Sequence, residues 1–324
     1  MSKKILITGI NGSGASYLAE YLSTLPDVEI QGITRWHTDR SRTNGGYTNL
    51  KDAKSKVKLF ECDLTDLSSV IRTLELTTPD VVFHMASHAN VRLCFENPIA
   101  IFNNNVNGTL NLLEGLRILK MKPVVHFCGT SEVYGQVKPE DIPIKETHAI
   151  DPINVYAISK LAQEKLCRSY YLSYGIPVVI TRSFSYINPR RPDIFSSTFA
   201  RQIVEIERGR RTKLLHGNLD SYRTVIDIRD IVEAYWLSVQ HCEYGVPYNV
   251  GGTVSITVGE FLEELKKHSK VEIKSEVDPS LLRTVDVTLQ IPDISKFCNK
   301  TGWSVKRTLS DSIEFLLNYY RNNI

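Results

Sequence analysis

Six short β-rich runs alternate with segments of helical period over the first 185 residues, and this alternation restricts the fold more than any other feature of the chain. The runs cover residues 4–8, 29–34, 57–61, 81–85, 124–128 and 178–182. Between the first two, residues 16–25 put Tyr17, Leu18, Tyr21, Leu22 and Leu25 on one helical face. Continuous apolar strands separated by helices call for a parallel sheet covered on both sides. The expected class is α/β, a doubly wound parallel sheet of Rossmann type.

After residue 185 the rhythm breaks. Residues 197–208 and 229–240 read as helices, 214–225 as loop and strand, and 259–268 and 310–320 as further amphipathic helices, with Pro279 and Pro292 in the joining loops. This pattern suggests a smaller mixed α/β cap over the C-terminal edge of the sheet, where ligands bind in open α/β folds. The expected division is 1–184 with 225–251 for a cofactor-binding unit, and 185–224 with 252–324 for a substrate-binding unit. A length of 324 residues agrees with two units at roughly 150 residues each.

Composition removes other classes. Hydrophobic residues at 42% and charged residues at 23% exclude a disordered or fibrous chain. Lys+Arg 39 against Asp+Glu 36 is too even to point to nucleic acid or a membrane surface. No apolar run approaches the ~18–20 residues of a membrane span, and the N-terminal apolar stretch meets Gly9 too soon for a signal peptide. The six cysteines form no CxxC pair, so free thiols in a reducing cytoplasm are expected, and no metal site.

The first strand runs into Gly9-Ile10-Asn11-Gly12-Ser13-Gly14-Ala15 and then a helix. A glycine turn there lets the backbone approach a pyrophosphate at the positive helix N-terminus. The spacing is not GxGxxG, and a purely structural turn is the alternative. The strand–turn–helix context favours nucleotide binding. NAD enzymes carry an acid about 20 residues on, at the end of the second strand. Here that strand ends Thr34-Arg35, with Arg40 and Arg42 close behind. Arginine forks match phosphate oxygens, which favours NADP, against the alternative of a solvated basic loop. Asp63, in Cys62-Asp63-Leu64, closes the third strand where a carboxylate is placed to accept from an adenine amino group.

Tyr156 and Lys160 stand at i and i+4, on one helical face. The ammonium, with a nicotinamide cation nearby, is expected to lower the phenol's pKa from about 10 toward neutrality, so that it takes a hydroxyl proton as hydride leaves the same carbon. Tyr47/Lys51 and Tyr134/Lys138 share the spacing, but only Tyr156 begins a convincing helix, with Asp151-Pro152 upstream as its start signal. The fifth strand ends in Gly129-Thr130-Ser131-Glu132-Val133-Tyr134-Gly135. A hydroxyl at that end suits a substrate oxygen, and Glu132 is either a general acid/base or a loop carboxylate.

These pieces together resemble the extended short-chain dehydrogenases/reductases that act on nucleotide sugars, the NAD-dependent epimerase/dehydratase family, over nearly the whole chain. The supports are TGxxGxxA (8–15), CDL (62–64), the HMAS strand end (84–87), NxxGT (105–109), TSEVYG (130–135) and YxxSK (156–160). Within that group the chain most resembles GDP-mannose 4,6-dehydratases. The wording is closest at Ser16-Tyr17-Leu18-Ala19-Glu20, Thr130-Ser131-Glu132, Asn188-Pro189-Arg190-Arg191 and Gly217-Asn218-Leu219-Asp220. GDP-4-keto-6-deoxymannose reductases are also similar, especially over residues 217–303.

The resemblance implies roles. Tyr156 and Lys160 are the catalytic pair; Thr130, beside Ser131, holds the sugar's 4-oxygen; Glu132 removes the carbon 5 proton and helps expel the 6-hydroxyl. The cofactor, NADP, lies along Gly9, Asn11, Gly12, Ser13, Gly14, Ala15, Arg35, Asp63, Leu64, Ala86, Ser87 and Asn105, with Asn105 also supporting the catalytic helix. Arg191, Arg223 and Arg283 clamp the nucleotide diphosphate, Asp286 takes its ribose or base, and Ser87, Ser185 and Asn218 complete the substrate site. Paired long helices, and a loop at 36–49 that meets a neighbouring subunit, imply a homodimer or homotetramer. Two departures stand out: Phe184-Ser185-Tyr186 replaces the family's Phe-Asn-His, and Gly14-Ala15 replaces its usual pair. The substrate is then GDP-mannose or a GDP-manno-heptose. A ketosugar reductase or epimerase is the alternative, and a non-catalytic NADP sensor the third reading, disfavoured by the intact Tyr156/Lys160/Thr130 set.

Overall fold

The computed structural model describes residues 2–35, 48–50, 53–282 and 287–324. The first half alternates as β1 (Lys3–Thr8), α1 (Ser13–Leu22), β2 (Val28–Thr34), β3 (Val57–Glu61), α2 (Leu67–Thr77) and β4 (Val81–His84). It continues through α3 (Leu93–Glu96), α4 (Pro98–Ile118), β5 (Val124–Thr130), α5 (Val155–Tyr174) and β6 (Val178–Ser183). Then come α6 (Phe195–Glu207), β7 (Leu214–His216), β8 (Tyr222–Val225), α7 (Ile228–His241) and β9 (Pro247–Val250). The chain closes with β10 (Val254–Thr257), α8 (Val258–Lys267), β11 (Ser275–Val277), β12 (Leu289–Gln290), α9 (Ser295–Thr301) and α10 (Leu309–Asn323).

The seven-stranded central sheet has the order β3-β2-β1-β4-β5-β6-β9 and its pairs are parallel. This is a doubly wound sheet, as the alternation requires. Helices α1 and α7 cover one face through Leu18, Leu22, Ile231 and Tyr235; α2, α4 and α5 cover the other through Leu74, Leu113, Leu116 and Cys167. Each fully buried Leu or Ile contributes roughly 1.5–3 kcal/mol, so both layers are held by the apolar runs that reveal the strands in the sequence.

The strand order reverses at β1 and β4, and ligands in such sheets bind at that switch point, beyond the C-terminal strand ends. Over those ends lies a second cluster built from α6, α8 and α10 with β7 and β8. It carries a three-stranded sheet, β10-β8-β12, and the pair β11-β7. Residues 214–225, expected as loop and strand, hold β7 and β8, whereas β12, two residues long, is too brief to show a period in the sequence and is a strand only through its pairing with β8.

Helix α5 begins later than Asp151-Pro152 suggests. Its N-cap is Asn154, whose side chain accepts from Ala157 N at 2.8 Å. Asp151 lies outside the helix, and its backbone N–H donates to Val133 O instead. The loop at 36–49 lies largely outside the described residues.

Candidate active site

The strand–turn–helix at the N-terminus leaves a helix start open to a ligand. Gly9 has φ +64°, and a Cβ there would come within 2.9 Å of Ala86 Cα, so only glycine allows β1 and the end of β4 to approach this closely. Helix α1 starts after Gly12 with no side-chain cap, leaving its first N–H groups to a ligand. Gly12, Ser13, Gly14 and Ala15 line a cavity of about 850 Å³.

Buried polar contacts hold the other wall. Thr8 Oγ1 accepts from Met85 N at 3.1 Å and Ala86 N at 3.0 Å, so its proton goes to His84 Nδ1 at 3.0 Å. His84 Nε2–H then donates to Thr109 Oγ1 at 2.8 Å, a tautomer assigned from this network. Burial pushes the His84 pKa down to about 3 and keeps the ring neutral in this relay. One turn earlier on α4, Asn105 Nδ2 donates to Ser159 Oγ at 3.0 Å on α5, and its Oδ1 accepts from His88 N at 2.8 Å. The loop after β4 and the helix carrying Tyr156 are thus joined through one carboxamide.

Tyr156, Lys160, Thr130, Ser131 and Glu132 line the same cavity, with Ser87, Ser185, Arg191, Asn218 and Arg223. The Thr130 hydroxyl lies beside the Tyr156 phenol. Burial dominates the surroundings of both members of the pair. Burial pushes the Tyr156 phenol above its usual range, and the groups that oppose this are Arg191 and the Thr130 hydroxyl. Lys160 Nζ lies 4.5 Å over the Phe127 ring, and burial pulls its own pKa below the ordinary lysine value. Helical spacing places two side chains on one face; it does not aim their tips at each other.

Both Glu132 oxygens are engaged. Oε2 accepts from Asn154 Nδ2 at 3.3 Å and Oε1 from Gln290 Nε2 at 3.1 Å. Sequence reasoning missed both donors. Asn154 is recognisable as an N-cap before a helix, whereas Gln290 reaches Glu132 only because β12 pairs with β8. Tyr134, which shares the Tyr/Lys spacing, spends its hydroxyl on Asn249 Oδ1 at 2.7 Å and is buried away from solvent.

Other expected positions vary. Arg191 Nη2 donates to Ala89 O at 2.6 Å and its Nε to Asp193 Oδ1 at 3.3 Å, and the guanidinium stands beside the Tyr186 and Tyr156 phenols. Arg35 Nη1 reaches Asn104 Oδ1 at 3.5 Å outside the cavity wall. Asp63 Oδ1 accepts from Thr65 N and Oγ1, closing a turn, and Leu64 O accepts from Asn111 Nδ2. Asn11 O accepts from Asn49 Nδ2 at 3.0 Å. Asn218 braces its own turn through Ser221 Oγ and Asp220 N. Arg223 Nη1 donates to Tyr222 O at 2.8 Å. Arg283 and Asp286 lie outside the described residues. Among the described residues, no group of three or more His, Cys, Asp or Glu side chains is placed to hold a metal ion, and no helix is long and apolar enough to cross a membrane.

The profile described as GDP-mannose 4,6 dehydratase matches residues 6–315. The chain belongs to this family. A Vibrio cholerae GDP-mannose 4,6-dehydratase is 30% identical, covering 97% of this chain and 92% of its own length. The GDP-6-deoxy-D-mannose reductase of Pseudomonas aeruginosa is 28% identical over 100% of this chain and 99% of its own. Among solved structures, RMD from Pseudomonas aeruginosa complexed with NADPH superposes with a TM-score of 0.84 at 26% identity, covering 99% of this chain and 100% of that one.

Proposed function

We propose that this protein is a GDP-sugar 4,6-dehydratase acting on GDP-mannose or a GDP-manno-heptose. The observation that carries the reading is Glu132, an oriented carboxylate on the cavity wall shared with Tyr156 and Thr130. A reductase needs only a proton donor at the 4-oxygen; elimination across carbons 5 and 6 needs a further base. The reductase remains the second reading because the Pseudomonas aeruginosa relative matches the chain from end to end.

The cavity suits NADP. The uncapped α1 N-terminus fits a pyrophosphate, and Ser87 Oγ is buried there without a partner among the described residues. Gly9, Asn11, Gly12, Ser13, Gly14, Ala15, Ala86 and Ser87 would hold it, with Asp63 and Leu64 at the adenine and Lys160 at the nicotinamide end. When bound, it supplies reversible hydride transfer, first from carbon 4 and finally to carbon 6. Tyr156, as the phenolate that Arg191, Lys160 and the nicotinamide cation would favour against burial, takes the 4-hydroxyl proton while Thr130 holds the oxygen. Glu132 then takes the carbon 5 proton, the carbon 6–oxygen bond breaks, and that proton leaves with the hydroxyl as water. Tyr156 returns its proton to carbon 5, so the enzyme ends as it began. Arg223, with Arg191 and Arg283, is assigned to the diphosphate, and Asp286 to the ribose or base. In this reading residues 1–184 with 225–251 serve the cofactor, 185–224 with 252–324 the sugar nucleotide, and the enzyme works in the cytoplasm. Incubating the protein with each substrate without added NADPH tests the reading. Loss of water, seen by mass spectrometry, supports it; recovery of both substrates unchanged sinks it.

Two further outcomes are expected. Arg35 stands where an acid would take the ribose hydroxyls, so wild type binds NADPH more tightly than NADH in fluorescence titrations. Arg35→Asp narrows or inverts that preference; equal or tighter NADH binding by the wild type refutes the assignment. The second outcome concerns assembly. Helices α4 and α5 pack together yet leave Ile99 75%, Phe102 37% and Ile158 44% exposed, apolar surface suited to a second copy. A homodimer or homotetramer is expected in light scattering, dissociating in Ile99→Asp/Ile158→Asp. A monomeric wild type at micromolar concentration contradicts this.

A further inference from the structure

We infer that Gln290 is a positioning residue for the Glu132 carboxylate, tying the base to the strand that carries Arg223. The inference rests on the proposed role of Glu132 at carbon 5. Glutamate's last torsion is broad and roughly two-fold, so a carboxylate on a turn needs external donors to hold one orientation. Glu132 has two, one from the start of α5 and one from β12. Gln290 Nε2 donates to Oε1 at 3.1 Å, and Asn154 Nδ2 donates to Oε2 at 3.3 Å. A carboxylate offers about four lone-pair sites. The amides take one on each oxygen and leave one on each, enough for the proton taken at carbon 5 and the hydroxyl leaving carbon 6.

The two donors come from elements with different tasks. Asn154 caps α5, so the residue that starts the helix of Tyr156 also holds the second base. Gln290 is 4% exposed, lines the cavity and sits in β12 opposite Arg223 of β8. Its carbonyl accepts from Thr224 Oγ1 at 3.4 Å, a second tie to β8. A diphosphate held by Arg223 therefore steadies the strand that aims Glu132, which links binding of the nucleotide to alignment of the base.

Gln290→Met keeps the length and removes the donors. Gln290→Glu keeps the shape and sets a second carboxylate against Glu132. Both are assayed on whichever of GDP-mannose and GDP-manno-heptose the wild type dehydrates, with the substrate protonated or deuterated at carbon 5. Gln290→Met is expected to lower kcat about tenfold with KM within about twofold. The isotope effect on kcat should rise, because removal of the carbon 5 proton becomes the slow step. First-turnover oxidation at carbon 4 should keep its wild-type rate, and Gln290→Glu should lose more. A role in folding alone would slow oxidation and elimination together without raising the isotope effect, and that result overturns the inference, as does wild-type kinetics in Gln290→Met. Near-full turnover by Glu132→Gln would instead overturn the underlying reading of Glu132, whatever Gln290 does.

Discussion

Glu132→Gln should cost about 10²–10⁴-fold in turnover, the usual contribution of a general acid–base group, while leaving binding of the sugar nucleotide intact. The substitution keeps the side chain's shape and removes the proton acceptor. It also turns one acceptor into a donor facing Asn154 Nδ2 or Gln290 Nε2, so one of the two present hydrogen bonds is lost as well. The block should fall after carbon 4 is oxidised and before water leaves. Tyr156→Phe blocks earlier, because in the proposed mechanism the Tyr156 phenolate beside Thr130 takes the 4-hydroxyl proton. Rapid-quench analysis separates the two: oxidised but hydrated sugar accumulates in the first variant and not in the second. If Glu132→Gln turns over near the wild-type rate on the correct substrate, Glu132 is a loop carboxylate and the reductase reading takes its place.

Arg182→Met is expected to destabilise the protein by about 3–5 kcal/mol, the cost of leaving a buried charge without its partner. Arg182 on β6 is 2% exposed and grips Glu164 of α5 with two donors, Nε at 3.0 Å and Nη2 at 2.7 Å. Its Nη1 donates to the Tyr134 hydroxyl at 2.9 Å and to Glu146 O at 3.2 Å. Glu164 is 4% exposed and stands one turn beyond Lys160 on the helix that also carries Tyr156. Removing the arginine strands a buried carboxylate on the helix that carries Tyr156 and Lys160. Removing both charges does not: Arg182→Met/Glu164→Leu should recover most of the loss, since a buried pair's attraction is largely offset by desolvation. Urea denaturation midpoints measure both variants. A single variant within about 1 kcal/mol of wild type would show that water reaches Glu164 and that the pair is not the anchor described.

Much of this was readable in advance, for definite reasons. Apolar runs separated by helical periods can only be buried strands with helices on both faces, and six of the seven strands of the central sheet follow from them. The seventh, β9, is four residues long and joins the sheet only because β6 leaves an open edge. Residues 130–132 and 156–160 carry local wording, and the cavity brings Thr130, Ser131, Glu132, Tyr156 and Lys160 together. What surrounds them was not readable. Gln290 lies 158 positions from Glu132, and no pattern along the chain couples them.

The sequence by itself determined the layers, the strand–turn–helix at the N-terminus, and the identity of the chemical groups, because each depends on residues within a few positions of one another. Only the tertiary structure decided the electrical environment of those groups. Spacing put Lys160 on the face of Tyr156, yet folding set its ammonium over Phe127, left Arg191 and Thr130 to act on the phenol, and let burial outweigh both. Charge–charge and desolvation energies depend on distance through space and on water excluded by the whole fold, and neither quantity is written in any local stretch of the chain.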